Sequence, residues 1–97
     1  MSVIEIATFR LAPPAGEAEF LAADRRVQTE FLYHQPGLLR RTTARDGDGN
    51  WLVATHWASA ADADAAATRA AGDSAASAFS ALLDTATATT RRYETID

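Results

Sequence analysis

The first stretch able to form a strand, Ser2 to Leu11 (SVIEIATFRL), is apolar on both parities, with Ile4 and Ile6 on one side and Val3, Ala7, Phe9 and Leu11 on the other. Successive side chains of a strand point to opposite faces of its sheet, so this strand needs cover on both. A chain of 97 residues is one domain that buries only roughly 60 to 65% of its unfolded surface. It can lay helices over one face of a sheet; covering the second face calls for a partner.

The rest of the pattern specifies the sheet. Ala12-Pro13-Pro14-Ala15-Gly16 breaks the first strand, because proline brings no donor to a ladder. From Glu17 to about His34 the period becomes helical, with Phe20, Ala23, Val27 and Phe31 on one face and Arg25, Arg26 and Thr29 on the other. Gln35-Pro36-Gly37 ends that helix, since the residue before proline is pushed out of the helical region. Leu38 to Arg45 and Trp51 to Trp57 flank Asp46-Gly47-Asp48-Gly49-Asn50 and read as a β-hairpin. Ser59-Ala60-Ala61-Asp62 resembles a capping box and opens an Ala-rich helix that stops near Gly72. A short helix follows, with Ser74 as its expected cap and Ala75, Phe79, Leu82 and Leu83 inward. Ala88 to Ile96 reads as the last strand.

The order β-α-β-β-α-β predicts an α+β, ferredoxin-like fold, a four-stranded antiparallel sheet with right-handed crossovers and helices on one face. The second face carries Ile4, Ile6, Leu52, Ala54 and His56, too apolar to meet water. An identical sheet is the economical cover, so the chain is expected to form a homodimer through its sheet faces.

Composition excludes several classes. The net charge is −4 and the nine basic residues, all Arg, are dispersed, which argues against nucleic acid as a partner. No apolar run approaches the roughly 20 residues of a membrane span, and the first residues lack the features of a signal peptide, so the expected location is the cytoplasm. With no Cys there is neither a disulfide nor a thiolate. The Arg and Ala usage reads as the codon bias of a GC-rich bacterial genome.

Asn50 to Ser59 (NWLVATHWAS) holds both tryptophans and one of two histidines. Trp57 reads as a core anchor sealing a strand end, with ligand stacking as the competing role; Trp51 reads as a hairpin-end packing residue. His56 lies opposite Trp57, on the expected dimer face, which favours an interfacial hydrogen bond over general-base chemistry. His34 falls where a cationic ring would interact with the dipole of the first helix, with the mouth of a pocket as its competing place. No metal site is expected: the histidines are far apart without a carboxylate cluster, and the DGDG run lacks the rest of a calcium loop. Arg40-Arg41 and Arg91-Arg92 each send one side chain to either face, where a carboxylate such as Glu5 or Glu94, or a bound anion, would meet it. No nucleophile motif, phosphate loop or dinucleotide fingerprint appears, so no standard cofactor is expected.

Four segments, VIEIATFRLAPPAGEAEF, QPGLLRRT, HWAS and the closing RRYE, give the chain a resemblance to the antibiotic biosynthesis monooxygenase-like family of dimeric α/β barrels. The resemblance implies a pocket between sheet and helices in each subunit, lined here by Phe9, Phe20, Phe31, Val53, Thr55, Trp57 and Phe79. It also implies cofactor-independent oxidation of a small aromatic or polyketide-like molecule. The residues typical of haem-degrading members would fall on Phe9, Ala66 and about Phe79, and none matches. Of three positions typical of the polyketide oxygenases, Val53 and Ala63 differ while Trp57 agrees. The competing expectation is a non-catalytic ligand-binding or structural homodimer whose aromatics fill the core.

Overall fold

The computed structural model describes residues 1–96. Its elements are β1 (Val3–Phe9), α1 (Glu17–Glu30), a 3-10 turn (Leu32–His34), β2 (Leu38–Arg45), β3 (Trp51–Trp57), α2 (Ala60–Ala70), α3 (Ser74–Ser80) and β4 (Thr89–Glu94). The strands form one antiparallel sheet in the order β2-β3-β1-β4. This is the split βαβ arrangement of the ferredoxin-like fold, α+β in class.

Local chemistry accounts for the boundaries. β2 and β3 meet at a turn built on Asp46, whose Oδ1 accepts from the backbone N–H groups of Asp48 (2.8 Å) and Asn50 (3.0 Å). These bonds, led by one from the Asn50 side chain, hold the Asp46 carboxyl below its usual range. Gly37 turns the chain into β2 at φ 83°, and a Cβ there would collide with the Asp62 carboxylate. Ser59 caps α2 by accepting from the Asp62 N–H at 3.1 Å.

The last strand is shorter than the sequence pattern, Thr89–Glu94 in place of Ala88 to Ile96, and three other boundaries differ from it. α1 stops at Glu30, because Phe31 leaves helical geometry (φ −128°) to bury its ring and the chain tightens into a 3-10 turn ahead of Pro36. α3 is capped by Asp73, which accepts from the Ala76 N–H at 2.9 Å, so Ser74 is the first helical residue. Beyond Phe9 the first strand dissolves; Leu11 keeps only an isolated bridge to Leu83.

All three helices pack on one side of the sheet. Val3 and Trp57 meet Ala63 and Ala66 of α2, while Phe9, Trp51 and Val53 meet Phe20 of α1, with Phe79 of α3 against them. On the opposite side Ile4, Ile6, Leu52, Ala54 and His56 are half-buried and Tyr93 is exposed. No helix is long and apolar enough to cross a membrane among the described residues.

Candidate functional site

A cleft of about 240 Å³ opens between the sheet and the three helices. Phe31, Trp57 and Phe79 supply its aromatic wall, and Val53 and Thr55 its floor. The remaining wall is mostly alanine: Ala63, Ala66, Ala67 and Ala70 from α2 and Ala76 from α3. Helix positions that end at Cβ leave space above the sheet that Leu or Phe would fill. The alanine content, explicable as codon bias when only the composition is considered, has a spatial consequence here.

Five of the seven residues expected at the pocket, Phe31, Val53, Thr55, Trp57 and Phe79, line this cleft. The other two do not. Phe20 is 0% exposed and Phe9 3%, and both belong to an aromatic cluster at the other end of the same face. There Phe20 lies 4.6 Å from the Trp51 ring, 5.3 Å from Phe79 and 5.7 Å from Phe9. Phe9 projects toward the helices as parity requires, but the rings of Phe20 from α1 and Phe79 from α3 close over it, and Phe20 is itself packed against Trp51.

The charged groups bordering the cleft are Glu5 and Arg41. Arg41 of β2 is buried and ion-paired with Asp24 of α1, with Nη1 2.7 Å from Oδ1 and side-chain exposures of 4% and 7%. The contact is ionic, since no hydrogen bond of regular geometry reaches Oδ1. Asp24 Oδ2 accepts from Thr43 Oγ1 (3.0 Å) and Gln28 Nε2 (3.1 Å), so the carboxylate is well supported. Arg41 also lies over the Phe79 ring, 5.5 Å from its centroid. Glu5 pairs with Arg92, whose Nη2 also donates to Asp64 of α2 at 2.7 Å. These bonds, to Asp64 first and Glu5 second, raise the Arg92 pKa.

The sequence offered Glu5 or Glu94 as partners for the arginine pairs. Arg92 does meet Glu5, but Arg41 takes Asp24, which stood in no candidate set. The signal was present: Asp24 is four residues after Phe20 and three before Val27, hence on the inward stripe of α1. The cleft also borders an unpartnered donor, since the Trp57 indole Nε1–H is buried without an acceptor among the described residues.

Neither histidine lines the cleft. His56 lies on the far face of the sheet, its Nε2 2.8 Å from Ser2 Oγ. His34 Nε2 is 3.0 Å from the Thr29 carbonyl in the last turn of α1. A carbonyl only accepts, so that nitrogen carries the proton. No group of three or more His, Asp or Glu side chains is placed to hold a metal ion among the described residues.

The fold defines the class: this chain has the antibiotic biosynthesis monooxygenase-like fold. It superposes with a TM-score of 0.81 on SnoaB, a cofactor-independent oxygenase from Streptomyces nogalater, at 21% identity over 99% of this chain and 94% of that one. An antibiotic biosynthesis monooxygenase is similar at a TM-score of 0.76 and 15% identity, covering 98% of this chain and 99% of the other. Rv0793 from Mycobacterium tuberculosis is similar at 0.72 and 19%, over 100% and 97%. No protein-family model matches the chain, and no curated protein matches it either.

Proposed function

We propose that the cleft binds a small aromatic or polyketide-like molecule and that the protein oxidises it with dioxygen, without a cofactor, in the cytoplasm. The observation that carries this reading is the cleft itself, an apolar space walled by Phe31, Trp57 and Phe79 with charge confined to its border. The likeness to SnoaB supports the reaction class. At about 240 Å³ the space is below the roughly 300 to 1,000 Å³ of typical ligand pockets, which favours one or two fused rings over a larger polycycle.

In such a reaction an activated methylene or phenol loses a proton and its carbanion passes electrons to dioxygen. One oxygen atom becomes a ring carbonyl and the other leaves as water. The protein orients the substrate, excludes water and stabilises the anion. A homodimer joined through the open sheet face belongs to the same proposal, because Ile4, Ile6 and Leu52 are otherwise left partly in water.

The test screens bicyclic phenols and naphthalenediols for binding by calorimetry, then follows oxygen uptake with the compounds that bind. Saturable uptake that Trp57→Ala abolishes supports an oxygenase. Binding without uptake supports the non-catalytic dimer, which the packing of Trp57 against Val3, Ala63 and Ala66 also favours. No binding by any compound overturns the ligand site and leaves the structural homodimer with a filled core.

A further inference from the structure

The border charges of the cleft are aligned. In the sheet register Arg92 stands beside Glu5, Glu5 beside Thr55, and Thr55 beside Arg41, so one polar row crosses all four strands. Every member faces the helices, because the row has the parity of Val3 and Trp57. The neighbouring rows on that face carry Val3 with Trp57 and Ala7 with Val53 across the two central strands. Glu5 and Arg41 are two strand spacings apart, about 10 Å between backbones, on either side of the cleft floor.

Both groups have capacity left for a ligand. The two bonds from Arg92 to Glu5 go to the same oxygen, Oε2, at 3.1 and 2.9 Å. Oε1 receives no protein donor among the described residues. On Arg41 the contacts with Asp24 and Thr43 both use Nη1. Nε and Nη2 have no protein acceptor among the described residues, although a guanidinium offers five N–H donors. One side of the floor thus presents a free carboxylate oxygen and the other free cationic donors.

We propose that Glu5 and Arg41 act together on a planar acidic enol or phenol carrying two oxygens. One proton is held between Glu5 Oε1 and the first oxygen, and Arg41 receives the second. The assignment rests on the cleft being a site for small aromatics. In the proton transfer the ligand O–H bond breaks, the proton passes to Oε1, and the electron pair delocalises through the ring onto the oxygen at Arg41. An ordinary phenol lies about six pK units above a carboxylate, too wide a gap for one guanidinium to close. A vinylogous acid, such as a hydroxyquinone or the enol of a 1,3-dione, is close to a carboxylate in acidity. Glu5 and Arg41 therefore select acidic oxygen heterosubstituted rings over simple phenols. The charged groups facing Glu5 are Arg92 of β4 and Asp64 of α2; across the floor stand Arg41 of β2 and, behind it, Asp24 of α1.

The experiment measures the dissociation constant of 2-hydroxy-1,4-naphthoquinone between about pH 6 and pH 8, where this bicyclic acid is free as its anion. If the complex holds the shared proton, binding takes one up, and wild-type affinity falls about tenfold per pH unit. Glu5→Gln, which keeps an acceptor for Arg92, binds with no pH dependence. The double variant Asp24→Asn/Arg41→Met, which leaves no orphaned carboxylate, keeps the slope but binds at least about tenfold more weakly. A flat wild-type profile, an unchanged slope in Glu5→Gln, or full affinity in the double variant overturns the assignment while leaving the cleft as a site. Failure of the wild type to bind this probe overturns the assignment; failure to bind the naphthalenediols as well overturns the proposed function with it.

Discussion

The helix-facing side of the sheet has two ends built on opposite principles. At one, Phe9, Phe20, Trp51 and Phe79 stack ring upon ring and leave no room. At the other, Trp57 and Phe31 face alanines of α2 and α3, and a cleft remains. Both ends share one sheet, one side and strongly aromatic strands. What separates them is what the helices bring down: Phe20 of α1 fills one end, while at the other the alanines of α2 and α3 leave space beside Phe79. The site is made by absent side chains as much as by present ones.

The largest effect expected from breaking this contrast is at the filled end. Phe20→Ala removes a fully buried ring and should cost about 3 to 5 kcal/mol, read as a fall in the denaturation midpoint at unchanged m-value. Trp57→Ala, beside existing space, should cost less. Arg41→Met alone leaves Asp24 charged and buried, and should cost about 3 kcal/mol. Adding Asp24→Asn should recover most of the loss, a coupling that a double-mutant cycle measures.

Smaller effects come from adding atoms. Ala75 is 1% exposed and lies off the cleft, so Ala75→Leu overpacks and should destabilise by about 1 to 3 kcal/mol. Ala70 borders the cleft, and Ala70→Leu should fold with a change below about 1 kcal/mol. The smallest effect is at the exposed turn. The folded-state pKa of Asp46 is lowered, so its contribution to stability is complete above the unfolded value of about 3.9 and is lost as pH falls through the folded value. The difference in Tm between the wild type and Asp46→Ala should therefore shrink on acidification below about pH 4.

The contrast also separates what the sequence made legible from what it did not. β2 and β3 lie where the pattern put them, because a turn dense in Asp, Gly and Asn and the residues beside it leave little choice of register. Parity set Trp57 and His56 on opposite faces, as observed. Depth was harder to read. Phe9, Phe20 and Phe31 look alike as inward aromatics, and only the size of the residues that each one packs against tells a filled core from a cleft wall. Asp24 was hidden for another reason. A carboxylate on an apolar stripe reads as a flaw in the stripe until its partner, Arg41 from a strand 17 residues downstream, is placed beside it.

The central claim is that the alanine-lined end is the ligand site. Its most direct test is calorimetric titration of the wild type, Ala70→Leu and Ala75→Leu with 2-hydroxy-1,4-naphthoquinone. The account predicts one molecule bound per chain in the wild type and in Ala75→Leu where it is folded, and loss of binding in a folded Ala70→Leu. Undiminished binding in Ala70→Leu would place the ligand elsewhere and contradict the account.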